Sequence, residues 1–271
     1  MIKRFLISNF ALLSLVAFAS GQHSDIRMSY EADIIVMRDG VVGQIDGFQI
    51  FEGTFPDGGF SDRFTEDPGF LSEMANGDQL LPGDLIELEL LQSPTFGGYL
   101  NYFDPDTGMM SPTDATLTIE DNGGTGTADL EIENLEFTGD NPLVIQVANS
   151  SGEIHAHIDF ELSAEAEFGG YGILYRMRSD NPVVADSQPV WLVFNFGMLP
   201  CRFEELVIPA FSGFGSILGD INDDGQVNLL DVAPFVDLLA NGEFLPAADI
   251  NGDCVVNLLD VGPFVDLLSG G

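Results

Sequence analysis

Short runs of alternating apolar and polar residues dominate the chain from residue 30 to about 208. Successive side chains of an extended strand point to opposite faces, so this alternation predicts strands with one buried face. Turn-forming clusters of Gly, Asn, Asp and Pro separate the runs. Many short strands without helical periods between them favour a mainly β domain, built as a β-sandwich or jelly roll. The predicted strands are 33–37, 47–51, 85–91, 115–119, 128–137, 143–147, 154–162, 173–177 and 190–196.

The beginning of the chain has a different pattern. Lys3 and Arg4 precede an apolar run at residues 5–18, and small residues follow up to Gly21. This order is typical of a secretory signal peptide, with cleavage expected near residue 20. No later stretch is long and apolar enough to span a bilayer. We therefore expect a mature protein that is secreted, either extracellular or at the cell surface.

The alternating pattern stops near residue 208, and residues 209–218 have the composition of a short linker. From residue 219 onward the sequence has a different pattern, in which one segment is repeated. The sequence therefore predicts a signal peptide at 1–21, a β domain at 22–208, a linker at 209–218 and a small second domain at 219–271.

This second domain contains an internal duplication with an offset of 29 residues. Each copy begins with oxygen-bearing residues at EF-hand spacing, positions 1, 3, 5, 7, 9 and 12 of a loop. Ca²⁺ takes about six to eight hard oxygen ligands, which alternate residues of a tightly turned loop supply. We therefore predict two Ca²⁺ sites. Their ligands are Asp220, Asn222, Asp224, the Gln226 carbonyl, Asn228 and Asp231 in the first, and Asp249, Asn251, Asp253, the Val255 carbonyl, Asn257 and Asp260 in the second.

The two copies differ at loop position 6, which is Gly225 in the first and Cys254 in the second. A non-glycine residue in a left-handed conformation costs about 1–2 kcal/mol, so we expect weaker binding at the second site. Helices should begin near Asp231 and Asp260, with these side chains as caps. About 50 residues bury little apolar surface, so calcium should contribute to folding. The residues predicted to form the small core are Phe235, Val236, Leu238, Leu239, Phe264, Val265, Leu267 and Leu268.

The duplicated unit resembles type I dockerin domains over roughly residues 219–270. These small two-loop modules attach exported bacterial proteins to cohesins. The resemblance implies an all-α module, calcium ligands at the loop positions given above, and a cohesin-like or other extracellular protein as partner. Asp at position 12 fits dockerins better than calmodulin-like hands. Leu229-Leu230 and Leu258-Leu259 depart from the polar residues that cellulosomal dockerins usually carry there.

Charge narrows the classes of partner. The chain has 8 Lys+Arg against 44 Asp+Glu, and without Lys3 and Arg4 the balance is 6 against 44, a formal charge of −38 with no lysine. Such a surface repels phosphates, so we expect no binding to nucleic acid or anionic membranes. A lysine nucleophile is excluded in the mature chain, and multivalent cations are the natural counter-ligands.

One strand of the β domain has the pattern of a transition-metal site. Side chains two residues apart on one strand face lie about 6.5–7 Å apart, close enough for a His-x-His pair to share one ion. The same region resembles exported PEP-CTERM-associated or surface-anchored bacterial β proteins, which carry a His-x-His strand before Gly-x-Tyr. The alternative is a solvated polar strand face. The candidate Zn²⁺ or Cu²⁺ ligands are His23, His155, His157 and Asp159.

Cys201 and Cys254 are the two cysteines of the chain. An even number of cysteines in an exported protein favours a disulfide between them, with two isolated thiols as the alternative.

No serine-nucleophile elbow, Cys-His arrangement or Walker loop is present, and we expect a non-catalytic protein. The alternative is a dockerin-bearing glycoside hydrolase or carbohydrate-binding protein that acts on polysaccharide. In that case Tyr99, Tyr102 and Phe103 would stack on sugar, whereas Trp191 is expected in the core.

Overall fold

The computed structural model describes residues 25–38, 41–45, 48–56, 63–121, 130–211 and 217–269. The predicted signal peptide and His23 lie outside these residues. Most of the described chain before residue 200 consists of short strands. They are β1 (Ile26–Glu31), β2 (Ile34–Arg38), β3 (Val41–Ile45), β4 (Phe48–Thr54), β5 (Phe64–Thr65), β6 (Phe70–Ser72), β7 (Leu85–Leu91), β8 (Leu100–Asp104), β9 (Met109–Ser111), β10 (Leu117–Asp121), β11 (Leu130–Ile132), β12 (Phe137–Thr138), β13 (Leu143–Val147), β14 (Ile154–Ala156), β15 (Ile158–Leu162), β16 (Gly169–Ser179) and β17 (Val190–Phe196).

The described strands form three sheets around one core. The largest has the order β13-β7-β16-β17-β4-β3, with β8 beside β16 and β9 beside β8. The second has the order β14-β6-β1-β2, and the third β12-β11-β10-β15-β5. Apolar side chains from all three meet in one cluster, for example Phe51, Phe70 and Phe160. The predicted mainly β fold is confirmed, and the shared core is consistent with a sandwich.

Three predicted strands agree with the structure at both ends, namely β7, β13 and β17. The predicted strand at 154–162 is interrupted at His157. Its first part, β14, pairs with β6, whereas its second part, β15, pairs with β10 and β5 in another sheet. His157 therefore lies at a corner where the chain changes sheets, a common way to build orthogonal β packing.

A helical segment follows β17 and covers the outer face of the largest sheet. It consists of α1 (Pro200–Arg202), a π-helical turn (Phe203–Val207) and α2 (Ile208–Phe211). Its apolar side chains form a second core with Trp191 of β17. The predicted linker at 209–218 begins inside this helix, because Phe211 is buried against the sheet. Residues 212–216 lie outside the described residues.

Gly172 of β16 explains how closely this helix approaches the sheet. A Cβ atom added at Gly172 would overlap the ring of Phe211. The missing side chain leaves the space that the ring occupies, and Phe211 also packs against Trp191. The expected core position of Trp191 is confirmed by its burial.

Two short helices, α3 (Val232–Asn241) and α4 (Val261–Leu268), build the C-terminal region. The Phe235 and Phe264 rings meet at its centre, with 4.5 Å between centroids. The prediction that Val236 and Val265 belong to this core is wrong, because both lie on the outer helix faces and are more than half exposed. No helix in the described part of the chain has the length and apolar character needed to cross a membrane.

The remaining residues predicted for this small core divide into two groups. Leu238, Leu239 and Leu268 are partly buried against the two phenylalanines. Leu267 instead lines a cleft between this region and the β domain. Residues outside α3 and α4 complete the core, namely Ile221, Val256 and Ala248, which ends a 3-10 turn at Pro246–Ala248.

Candidate calcium loops and their attachment to the β domain

Calcium loop 1, residues 220–231, is organised around the carboxylate of its last residue. Asp231 is 0% exposed. Its Oδ1 accepts hydrogen bonds from the backbone N–H groups of Ile221 (2.8 Å) and Asn222 (3.0 Å), and its Oδ2 accepts one from Asn228 (2.8 Å). One side chain therefore ties the beginning of the loop to its ninth position.

The first ligand position is held in the same way. The Asp220 carboxylate accepts the backbone N–H groups of Asp224 (3.1 Å) and Gly225 (2.7 Å). Asn222 accepts the N–H of Asp224 through Oδ1 and donates from Nδ2 to the Asp224 carboxylate. The side chains at positions 1, 3 and 5 are thus brought together by a tight local turn.

Calcium loop 2, residues 249–260, repeats this arrangement. Asp260 is 0% exposed and accepts the N–H groups of Asn251 (3.0 Å) and Asn257 (2.8 Å). Asp249 accepts the N–H groups of Asp253 (3.1 Å) and Cys254 (3.0 Å). The duplication in sequence is therefore a duplication of hydrogen bonding as well.

The carbonyl groups predicted at position 7 lie beside the side chains of position 9. Asn228 donates from Nδ2 to the Gln226 carbonyl (3.5 Å), and Asn257 donates to the Val255 carbonyl (3.1 Å). The backbone carbonyl oxygen of position 7 and the side-chain amide of position 9 therefore lie next to each other in both loops.

The expectation that Asp231 and Asp260 cap their helices through their side chains is wrong. Both occupy the N-cap position, but neither makes a side-chain cap hydrogen bond. Their carboxylates bind loop N–H groups instead. Their backbone carbonyls accept the N–H groups of Phe235 and Phe264 and so begin the helices.

The electrostatics of the loops favour a bound cation. Asp220, Asp231, Asp249 and Asp260 are all buried, and residues 219–271 contain ten Asp and Glu but no Lys, Arg or His. A buried carboxylate is costly unless a cation compensates it, and backbone N–H groups carry only partial charges. Carboxylate, amide and carbonyl oxygens at EF-hand spacing are a donor set that suits Ca²⁺.

Loop 2 is covalently attached to the β domain. Cys254 forms a disulfide with Cys201, with 6.2 Å between their Cα atoms. Cys254 has a φ of +68°, and Gly225 at the same position of loop 1 has +83°. The backbone at position 6 is thus left-handed in both loops, as expected from the sequence. At this position only loop 2 has a residue with a side chain, Cys254.

Arg202 adds a second attachment, which sequence reasoning missed. Its Nη1 donates to the Asp249 carbonyl (2.9 Å) and its Nη2 to the Pro105 carbonyl (3.0 Å). Burial lowers the pKa of its guanidinium. The side chain borders a cleft of about 570 Å³ between loop 2 and the β domain. Its position next to Cys201 in the sequence was the available signal.

The predicted transition-metal residues are only partly brought together. His155 and His157 approach each other with 3.2 Å between their Nε2 atoms. Among the described residues, the carboxylate grouped with them is Asp25 rather than Asp159. His23 lies outside the described part of the chain.

The aromatic platform proposed for sugar binding is wrong. Tyr102 and Phe103 are buried, and Tyr99 packs edge-to-face against Phe137 with 5.0 Å between centroids. Aromatic rings that face the core cannot stack on a polysaccharide. The hydrolase and carbohydrate-binding alternatives stay untested predictions without this support.

Comparison with known proteins gives one family match. The model of the dockerin type I domain matches residues 218–262, which include both loops and the helix between them. No curated protein and no solved structure matches the chain. The match covers the duplicated loops, their buried carboxylates and α3, and it ends at the beginning of α4. The C-terminal region of this chain is therefore a type I dockerin domain.

Proposed function

We propose that this chain is an exported acidic β protein that attaches to a cohesin-type extracellular partner through its calcium-stabilised dockerin domain. The observation that carries the proposal is the pair of matched loops. They bury four carboxylates in a segment without a basic side chain.

Two calcium ions are expected, one in each loop. The hydrogen bonds of Asp231 and Asp260 support this number, because each carboxylate organises its own loop in the same way. Phe235 and Phe264 meet at the centre of a small shared core. A domain with so little apolar burial gains folding free energy from metal binding, so calcium is expected to control whether the docking surface exists.

Four leucines identify the surface expected to contact the partner. Leu229 and Leu230 are 80% and 66% exposed, and Leu258 and Leu259 are 79% and 67% exposed. Each pair directly follows the ninth position of its loop. Contiguous exposed apolar side chains are characteristic of protein interaction sites. The partner surface that contacts these leucines is therefore expected to be apolar at its centre. A partner that recognises polar side chains would have a polar surface there instead.

Two features support export. The pattern at residues 1–21 predicts a signal peptide, and the disulfide between Cys201 and Cys254 is the kind of bond that persists in oxidising compartments. The β domain is then the part delivered to the partner's location.

The test is a binding assay with the immobilised chain and a panel of recombinant type I cohesins, in Ca²⁺ and in EDTA. We expect binding in Ca²⁺ that EDTA abolishes. A variant with Asp in place of Leu229, Leu230, Leu258 and Leu259 should lose binding while retaining its calcium-dependent helical content.

The matched control is Leu135→Asp, because Leu135 is also a highly exposed leucine but lies in the β domain. This variant should bind like the unmodified chain. Binding to no cohesin, or binding that survives both EDTA and the four substitutions, would contradict the proposal.

A further inference from the structure

Three potential metal ligands meet at one end of strand β6. β1 runs parallel to β6 on one side, with Ile26 opposite Phe70, and β14 runs antiparallel on the other side, with Ala156 also opposite Phe70. Asp25 immediately precedes β1 and His157 immediately follows β14. Sheet pairing therefore places the two residues on either side of the same end of β6.

Gly69 lies between them, just before β6. Its carbonyl accepts the N–H of Ile26 at 2.8 Å, which fixes the start of β1. A Cβ added at Gly69 would lie 2.7 Å from Asp25 Oδ1 and 2.9 Å from His157 Cε1. Because glycine has no side chain, the carboxylate and the imidazole can approach each other across this position.

The distances among the ligand atoms are those of ligands around one ion. The two Nε2 atoms are 3.2 Å apart. Asp25 Oδ2 lies 3.4 Å from His155 Nε2, and Asp25 Oδ1 lies 3.9 Å from His157 Nε2. Tetrahedral Zn²⁺ with bonds of about 2.0–2.1 Å separates its ligand atoms by about 3.4 Å.

A backbone carbonyl orients the His157 ring so that its Nε2 faces the other two ligands. Its Nδ1 lies 3.2 Å from the Glu66 carbonyl. A carbonyl can only accept, so the tautomer with its proton on Nδ1 donates to Glu66, and in that tautomer the lone pair of Nε2 faces the cluster. Metal-binding histidines commonly have their other ring nitrogen bonded to a backbone carbonyl in this way.

One oxygen of the Asp25 carboxylate also lacks a protein donor. Its Oδ1 is buried and accepts no hydrogen bond from any described residue. A buried acceptor without a donor is destabilising unless another group satisfies it. A cation held jointly with the two imidazoles would satisfy it.

We infer that Asp25, His155 and His157 form a site for one divalent transition ion, with Zn²⁺ as the ion that best fits two imidazoles and a carboxylate. Imidazole nitrogen is a poor ligand for Ca²⁺, so this site differs in chemistry from the dockerin loops. The His155 side chain is 57% exposed, which leaves a coordination position open to solvent. The ion joins the beginning of β1 to the corner between β14 and β15.

The experiment is calorimetric titration of Zn²⁺ into the purified full chain with Ca²⁺ kept saturating. One Zn²⁺ per chain should bind and raise the unfolding temperature. His155→Ala and Asp25→Asn should each weaken binding by more than about tenfold, since even the loss of an outer-shell partner costs about 10–100-fold. Gly69→Ala should weaken it too, because the added methyl group displaces both ligands.

Two controls separate this site from other carboxylates. Asp159→Asn changes the acid that the sequence alone suggested, and Asp220→Ala changes a dockerin loop; both should leave Zn²⁺ binding unchanged.

Co²⁺ bound in place of Zn²⁺ should give visible absorption bands that disappear in His155→Ala. Absence of Zn²⁺ binding, or binding that persists in both His155→Ala and Asp25→Asn, would show that the residues only hydrogen-bond to one another and would overturn the inference.

Discussion

Cys254 occupies the left-handed position of calcium loop 2 and is bonded through its sulfur to Cys201 in the helix that covers the largest sheet. Gly225 holds the same conformation in calcium loop 1 without strain and without a covalent link. The two loops therefore share a ligand pattern but differ in the residue that holds the left-handed conformation at position 6 and in their attachment to the rest of the molecule.

The first prediction separates these two effects. Cys201→Ala removes the disulfide but leaves the strained Cys254 in place, and should destabilise the domain by about 4 kcal/mol in the chain-entropy model, given the sequence separation of 53. Cys254→Gly removes the disulfide and the strain together, so it should be less destabilising by about 1–2 kcal/mol. Urea unfolding in saturating Ca²⁺ measures both variants. Equal stabilities would show that the left-handed cysteine costs nothing.

The second prediction concerns the organising carboxylate of each loop. Asp231→Asn leaves one acceptor oxygen and puts an NH2 group, which cannot accept, in place of the other, so the hydrogen bonds to Oδ1 and Oδ2 cannot all be kept. Hydrogen bonds to charged groups contribute about 1.5–3 kcal/mol, so Ca²⁺ affinity of loop 1 should fall by at least about tenfold. Asp260→Asn should do the same to loop 2. Calorimetric Ca²⁺ titration resolves the two sites.

Its control is Asp223→Asn. Asp223 is an exposed carboxylate in loop 1 that occupies no ligand position, and its φ of +58° is well tolerated by Asn. Ca²⁺ affinity in this variant should remain near that of the unmodified chain. A loss as large as that of Asp231→Asn would mean that net charge, rather than ligand geometry, governs binding.

The third prediction is that calcium removal unfolds the dockerin domain and spares the β domain. EDTA should abolish most helical circular dichroism from α3 and α4, because their small core depends on the loops. Trp191 is the single tryptophan and is buried in the β domain. Its fluorescence maximum should therefore stay unchanged in EDTA. A shift that accompanied the helical loss would indicate that the domains unfold as one unit.

The fourth prediction tests the helix over the largest sheet. Phe211 and Trp191 have ring centroids 5.1 Å apart in an edge-to-face arrangement. Phe211→Ala should destabilise the β domain by about 3–5 kcal/mol, as is usual for a buried phenylalanine, and shift Trp191 fluorescence to the red. The exposed Val183 supplies the control Val183→Ala, for which neither change is expected. An unshifted spectrum in Phe211→Ala would contradict the packing described above.

The fifth prediction concerns pH. Burial, with repulsion from Glu204, raises the pKa of Glu52 above its ordinary value of 4.5. Folding therefore favours the protonated carboxyl, and stability from Glu52 is present below about pH 4.5 and falls as pH rises through the raised pKa. Glu52→Gln should raise the free energy of unfolding at pH 7 relative to the unmodified chain, with little difference at pH 4.

Two further variants check this assignment in the same urea titrations. Glu204→Gln should act in the same direction with a smaller effect, because it removes only the repulsion. Glu161→Gln changes an exposed carboxylate of β15 and should leave the free energy of unfolding at pH 7 near that of the unmodified chain. A decrease in stability of Glu52→Gln at pH 7 would mean that the ionised carboxylate is favoured in the fold.

Local patterns accounted for much of the architecture. Strands β7, β13 and β17 follow from alternation and from the turns that bound them. The helix from residue 200 to 211 was missed, although apolar residues at 203, 206, 207, 210 and 211 have helical spacing. Pro209 and the π-helical turn interrupt the regular period, so the pattern alone indicates the end of the β domain followed by a linker.

The sequence by itself determined the calcium loops, because all twelve positions of each loop are local and a tight turn converges them without help from distant residues. Only the tertiary structure decided the histidine cluster. Alternation placed His155, His157 and Asp159 on one face, but the chain changes sheets at His157, and β6 pairing brings in Asp25 from the other end of the domain. Which carboxylate joins two histidines depends on long-range strand pairing, and spacing along the chain carries no information about it.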